Sequence, residues 1–289
     1  MTDQEVQQTN TLRQVDVMVR PTTRFPVPLS DGYSVYSALL GVLEDVDADV
    51  SAHIHDSPLG SLHSSGLQGV FGDSDRDYHK TLRPNESYQL RLGVVDPADL
   101  DIFQALVNAL VLDGDTIELS HGTLQVDRFE SVNTTHEDIV TEAGSMDNPT
   151  IELSFETATC IEEAGEITTM FPHRGAVFSS LLGKWNRSVS DDLELELDRE
   201  TIERNVIEKP IARTYNTHSV LVNRVKNKDG ETRNLFRQGF TGECSYDFKN
   251  ASDSVQNAVT ALGLFAEYSG VGSAVARGCG CVSAEVAGQ

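Results

Sequence analysis

Apolar residues recur along this chain with two periods, and the two periods alternate. Positions 12–20 alternate apolar and polar, so every second side chain falls on one face of a strand. Tyr33, Tyr36, Leu39, Leu40 and Leu43 then recur three and four apart, which predicts a helix with one apolar face. A stretch rich in Ser, Gly, Asp and His covers 57–80 and reads as a loop, with a short strand near 67–71. Positions 89–95 predict another strand. Asp96-Pro97 supplies a helix N-cap and a first-turn proline, and Ile102, Phe103, Leu106, Val107 and Leu110 follow on one face until Gly114 stops the helix. Positions 116–129 alternate again.

The second half repeats the order. Positions 150–160 alternate as a strand, and 174–187 carry Val177, Phe178, Leu181, Leu182 and Trp185 on one helical side. Strands over 212–226 and 232–248 flank Gly230 and read as a hairpin. Ser252 or Asp253 caps a helix with Val255, Ala258, Val259, Leu262 and Phe265 inward, and a last strand follows over 281–286. Each half is a strand–helix–strand–strand–helix–strand unit. The predicted class is α+β, with two tandem ferredoxin-like (RRM-like) domains over 1–146 and 147–289, joined near 144–149, Gly-Ser-Met-Asp-Asn-Pro.

Between the last helix and the last strand lie two Gly-x-Gly pairs, Gly270/Gly272 and Gly278/Gly280. Glycine at such density predicts backbone at positive φ or pressed close to something. A loop of that kind exposes unpaired N–H groups suited to phosphate oxygens, and Arg277 adds a charged donor. The competing reading is a helix cap and a turn. The order differs from the dinucleotide fingerprint, whose loop follows a strand and opens a helix.

Composition changes the picture at three points. No run of about 18 apolar residues exists, so no membrane span is expected, and residues 1–10 are polar with no signal-peptide pattern. Cys160, Cys244, Cys279 and Cys281 lack Cys-x-x-Cys spacing, which predicts neither a zinc site nor a redox pair and fits a reducing cytoplasm. The net charge is −23, with 45 carboxylates against 22 bases and arginine commoner than lysine. With 39% hydrophobic residues in clear periods, that balance reads as adaptation to molar salt rather than disorder.

The charge is uneven. Between 209 and 237 stand Lys209, Arg213, Arg224, Lys226, Lys228, Arg233 and Arg237 against Asp229 and Glu231, so the segment is +5 and the remainder −28. A basic island in an acidic chain is the footprint of a polyanion site, the alternative being a solvated hairpin. The acidic remainder does not oppose an anionic ligand in strong salt, where the Debye length is about 3 Å.

The closing pattern Gly-x-Gly-x(5)-Gly-hydrophobic-Gly on two ferredoxin-like units resembles the CRISPR-associated endoribonucleases that cut repeat RNA, the Cas six family. Tyr33-Ser-Val-Tyr-Ser-Ala-Leu-Leu and Ala52-His-Ile-His-Asp56 are similar to that family's first helix and the histidine segment after it. Phe171-Pro172 and Phe178-Ser-Ser-Leu-Leu-Gly-Lys-Trp-Asn186 look like its second-domain helix. The resemblance implies tandem RAMP domains, binding of CRISPR repeat RNA, and metal-independent cleavage without a cofactor in the cytoplasm of a salt-adapted archaeon. It also leaves open association with a CRISPR effector complex.

Metal-free RNA cleavage needs the 2′-hydroxyl deprotonated, the 5′-oxygen protonated and the phosphorane stabilised. Histidine, with an unperturbed pKa of about 6.5, suits the proton transfers. The family pattern falls on His55, with His53 and His63 as alternates and Tyr36 on the first helix as a further candidate. No lysine follows His55 before Lys80, a departure from several family members. Gly270, Gly272, Arg277, Gly278, Gly280, Arg213, Arg224, Lys226, Arg233 and Arg237 are the predicted RNA contacts, and no metal site is expected, because His53 and His55 lack a second pair of ligands. A non-catalytic RNA-binding subunit and a nucleotide-holding protein remain as alternative functions.

Overall fold

The computed structural model describes residues 11–46, 62–113, 116–165, 167–226 and 231–288. In chain order its elements are β1 (Thr11–Pro21), β2 (Phe25–Pro28), α1 (Gly32–Val46), β3 (His63–Gln68), β4 (Gly72–Asp73), β5 (His79–Leu82), β6 (Tyr88–Val94), α2 (Leu100–Asn108), β7 (Thr116–Leu119), β8 (Gly122–Thr135) and α3 (His136–Gly144). There follow β9 (Thr150–Thr159), β10 (Ile161–Ala164), β11 (Ile167–Thr169), α4 (Arg174–Ser188), α5 (Arg199–Asn205), β12 (Val206–Pro210), β13 (Asn216–Lys226), β14 (Thr232–Phe248), α6 (Asp253–Ser269) and β15 (Val282–Ala287).

Two antiparallel sheets carry the molecule. The first has the order β3-β6-β1-β8-β7 and the second β12-β14-β9-β15, with β13 also paired to β14. In each, the opening strand lies between the third and fourth strands of its unit, which is the ferredoxin-like order met twice. Val15, Val17 and Val19 of β1 are buried against Val35, Leu39 and Leu43 of α1 and Phe103 and Leu106 of α2. The alternation of β1 and the helical spacing of α1 therefore meet in one core. Of β8 only Leu124 is buried, in this same core, while the rest of the strand is partly or fully exposed, Phe129 and Val132 included.

The second core joins Ile151, Leu153 and Phe155 of β9 to Val177, Phe178, Leu181 and Trp185 of α4 and Val259, Leu262 and Phe265 of α6. Trp185 is fully buried, its Nε1 donates to Leu193 O at 2.9 Å, and His136 stands edge-on to it at 4.7 Å. Truncating such a ring costs roughly 3–5 kcal/mol. Ile139 and Ala143 of α3, with Leu12 of β1 and Val95 just beyond β6, also join this core, so the halves share apolar surface.

Capping chemistry sets the helix starts. Asp96 accepts from Ala98 N at 2.9 Å and caps the 3-10 turn Pro97–Asp99 that leads into α2, Thr135 accepts from Asp138 N at 3.1 Å ahead of α3, and Ser252 accepts from Val255 N at 3.4 Å ahead of α6.

Three expectations needed correction. The alternating run over 116–129 is a hairpin, β7 and β8, in which Leu119 pairs with Gly122 across a two-residue turn, Ser120-His121, and Gly122 lies against the Phe25 ring, where a Cβ would come within 2.3 Å. The presumed loop over 57–80 contains β3 and, with β2, a small sheet of order β2-β5-β4. The strand expected near 67–71 lies instead at His63–Gln68. Its run His-Ser-Ser-Gly is buried without apolar alternation, because small residues there allow close packing, so periodicity missed it.

Candidate functional site

Gly270 ends α6 at φ 60°, ψ 169°, and its N–H still donates to Ala266 O. Beyond it the chain folds through a short 3-10 turn, Val275–Arg277, between left-handed Ala274 and Gly278. Two glycines show why no side chain is tolerated. A Cβ on Gly280 (φ 68°) would lie 1.9 Å from Val271 O, and one on Gly278 (φ 81°) would lie 2.6 Å from Gly32 Cα. The loop is thus pressed onto the first residue of α1.

The expectation of many unpaired amides is corrected here. Val271 N donates to Gly280 O, Gly272 N to Ser180 Oγ, Ser273 N to Cys160 O, Gly280 N to Ala158 O and Cys281 N to Thr157 Oγ1. The base of the loop, with Gly270, Gly272 and Gly280, satisfies itself against the protein, since a buried amide left unpaired would cost free energy. Its tip, with Arg277 and Gly278, faces a cleft.

That cleft has a volume of about 570 Å³ and lies between the two halves. Asp31, Gln68, Phe71 and Lys80 line one side, and Glu156, His218, Thr241, Arg277 and Gly278 the other. Asp31 and Lys80 form a buried ion pair at 2.9 Å. Burial pushes the Asp31 carboxyl up from its usual range, and the Lys80 charge and the Leu67 N–H act against that. Lys80 Nζ also sits 3.7 Å above the Phe71 ring. Arg277 lies 5.8 Å from the Tyr36 ring centre, and burial raises the Tyr36 phenol while Arg277 opposes the shift. His218 Nε2 is 2.8 Å from Thr241 Oγ1, and burial lowers the pKa of its ring.

Of the histidines singled out in the sequence, His53 and His55 lie outside the described residues. His63 does not line the cleft. It is fully buried at the seam between the halves, both ring nitrogens lack a hydrogen-bond partner, and a Cβ on Gly270 would touch its ring at 2.8 Å. Desolvation, with Lys184 and Arg91 nearby, lowers its pKa to about 3, so as a proton-transfer alternate it is corrected to a packing residue. Lys184 caps α6 from α4, donating to Ser269 O at 3.0 Å and Gly270 O at 2.7 Å.

The basic island divides. Lys209 pairs with Asp247 and Arg237 with Glu162. Arg213, Arg224 and Arg233 are exposed, with no carboxylate partner among the described residues, and Phe236 stands beside them at 57% exposure. Lys226 ends β13, and its side chain lies outside the described set.

His218, Asp31 and Thr241 escaped the sequence reading, and Lys80 entered it only as the first lysine after His55. His218 lies inside the basic island, in a Thr-His-Ser run whose only signal was an ionisable residue in a predicted strand. The pairing of β13 with β14 was needed to bring it beside Thr241.

Residues 153–282, which include the glycine loop and the basic hairpin, match the family described as CRISPR-associated endoribonuclease Cas6. Among solved structures, a Cas6 product complex is similar at 20% identity and TM-score 0.69, over 96% of this chain and 100% of the other. Thermus thermophilus Cas6 is similar at 19% identity and TM-score 0.64, over 96% and 99%. The product of a Cas6-related gene from Pyrococcus furiosus follows at 11% identity and TM-score 0.58, over 95% and 98%. No curated protein matches this sequence. At such identities the likeness extends to the fold.

Proposed function

From the Cas6 match over 153–282 and the fold shared across nearly the whole chain, we propose that this protein is an endoribonuclease that cleaves CRISPR precursor RNA within its repeats. The observation that carries the proposal is the cleft between the halves. The family-matched segment supplies one wall of it, including Arg277 at the tip of the glycine loop. A volume of about 570 Å³ suits a few convergent polar groups around part of a ligand.

In this reading the 2′-hydroxyl attacks the adjacent phosphate, and the 5′-oxygen leaves. No metal is required, because proton transfer falls to side chains and charge stabilisation to fixed donors. In the same reading Arg277, whose guanidinium lies 5.8 Å from the Tyr36 ring centre, holds the scissile phosphate. His55, in its Ile-His-Asp setting, is the proposed proton-transfer residue of the N-terminal half. Arg213, Arg224 and Arg233 of the hairpin region, with Lys226, take phosphates outside the cleft. Arg237 joins them by exchanging Glu162 for RNA. Gly278 sets the approach of the loop, while Gly270, Gly272 and Gly280 hold its shape.

The test is incubation with the host's repeat RNA, with and without EDTA. Cleavage that survives EDTA, gives a 2′,3′-cyclic phosphate and a 5′-hydroxyl, and fails when the nucleotide at the cut is 2′-deoxy supports the proposal. Binding without cleavage selects the non-catalytic RNA-binding subunit instead.

A further inference from the structure

The cleft holds few groups able to move a proton. Asp31 and Lys80 neutralise each other at 2.9 Å. Glu156 accepts from Gln68 Nε2 at 2.7 Å and from the Cys281 thiol at 3.4 Å. The guanidinium of Arg277 offers hydrogen-bond donors and no acceptor. His218 differs from all of these. It is partly buried in the wall contributed by β13, and one ring nitrogen is already oriented by Thr241. Nδ1 has no partner among the described residues.

We propose that His218 is the general base of the cleavage, its Nδ1 taking the proton from the attacking 2′-hydroxyl. The proposal rests on the nuclease reading above and names a group for it in the C-terminal half. The assignment takes the tautomer in which Nε2–H donates to Thr241 Oγ1, 2.8 Å away, which leaves the Nδ1 lone pair able to accept a proton at the cleft wall. Holding one ring nitrogen so that the other can act is the usual way a base is oriented.

Thr241 on β14 stands beside this ring, and the charged groups that share the cleft lining with it are Asp31, Lys80, Glu156 and Arg277. Two carboxylates and two cations balance formally there. Burial is then the cause that remains, and it lowers the imidazole below its ordinary pKa. A neutral ring at neutral pH is the form a base requires.

The step balances without an oxidant or co-reactant. The O2′–H bond breaks and its proton goes to Nδ1. The O2′–P bond forms, the P–O5′ bond breaks, and O5′ takes a proton from a second group, a protonated side chain or a water. The products are a cyclic phosphate and a hydroxyl. Arg277 meets the added negative charge on the phosphorane.

The experiment measures single-turnover cleavage from about pH 5 to about pH 8, the range in which histidine titrates. Wild type, His218→Ala and His218→Gln are compared, with RNA affinity and melting temperature alongside. Both variants are expected to fold and bind RNA like wild type and to cleave ~10²–10⁴-fold more slowly, since that is what a proton-transfer group contributes. The fall in rate on the acidic side should vanish in both, and added imidazole should restore part of the rate of His218→Ala alone. A wild-type rate in either variant overturns the assignment. A slow variant that keeps the acidic fall and ignores imidazole also overturns it, because a merely positioning residue behaves so. A wild-type protein that leaves repeat RNA intact overturns the nuclease reading itself, an outcome distinct from both.

Discussion

Gly32 and Gly278 meet backbone to backbone. A Cβ on Gly278 would lie 2.6 Å from Gly32 Cα, and one on Gly32 would lie 2.4 Å from Gly278 Cα. The N-terminus of α1 and the tip of the glycine loop are therefore held at a separation that only two glycines permit. Gly66 completes the contact, since a Cβ there would reach Asp31 Oδ1 at 2.6 Å. The cleft between the halves is shaped by this junction, and Arg277 is carried on it.

Gly278→Ala should therefore damage stability as well as RNA binding. Left-handed backbone costs alanine about 1–2 kcal/mol, and the clash with Gly32 adds roughly 1–3 kcal/mol of overpacking. Gly41→Ala is the control, because nothing lies within 4 Å of that Cβ and α1 should gain about 0.5–1 kcal/mol. Melting temperatures of both variants, with RNA affinity, check this. An unaltered melting temperature for Gly278→Ala would show that the junction yields.

His55→Ala should lose cleavage by ~10²–10⁴-fold and keep RNA affinity. If His55 protonates the leaving oxygen, a substrate with sulfur in place of the bridging 5′-oxygen should restore most of the rate, because a thiolate leaves without a proton. Cleavage of the two substrates by the variant measures this, with His53→Ala as the milder control.

His63 should make the fold acid-labile. Its folded pKa is lowered to about 3 from an ordinary 6.5, so above pH 6.5 both states are neutral there and stability is untouched. As pH falls below 6.5, the unfolded chain takes a proton that the native chain refuses, and up to about 1.4 kcal/mol is lost per pH unit. Urea midpoints near neutral and near pH 5 should diverge less in His63→Leu than in wild type. Equal divergence would assign the acid sensitivity to other groups.

Arg224→Ala with Arg233→Ala should weaken RNA binding and flatten its salt dependence. Each single-strand phosphate contact contributes about 0.7 to the slope of log affinity against log salt, so losing two lowers it by ~1.4. Affinity measured over a salt series decides. The variant Lys209→Ala, whose amine is paired with Asp247, should change that slope less.

Much of the architecture follows from the chain read residue by residue. The alternation of β1 and β9 and the helical spacing of α1, α2, α4 and α6 recur in the same order twice, and that order already implies the two sheets. The caps Asp96 and Ser252 are local too, because a side chain reaching an amide two or three residues on needs no distant partner. Positive φ at Gly270, Gly272, Gly278 and Gly280 was likewise legible from glycine density.

What those glycines face was not. The sequence suggested a phosphate cradle, yet the amides at the base of the loop bond to Ala158, Cys160 and Ser180, whose approach depends on how β9 and α4 pack. Likewise, the sequence offered His63 as a candidate acid or base, and only the seam between the halves buries it beneath Gly270. His218 and Lys80, which share the cleft with Arg277, stand 138 positions apart. Periodicity and capping act over a few residues, so they determine elements. Burial, desolvation and the pairing of charges depend on neighbours distant in the chain, so the tertiary structure alone decided which ionisable groups reach the cleft and which way burial moves Asp31 and His218.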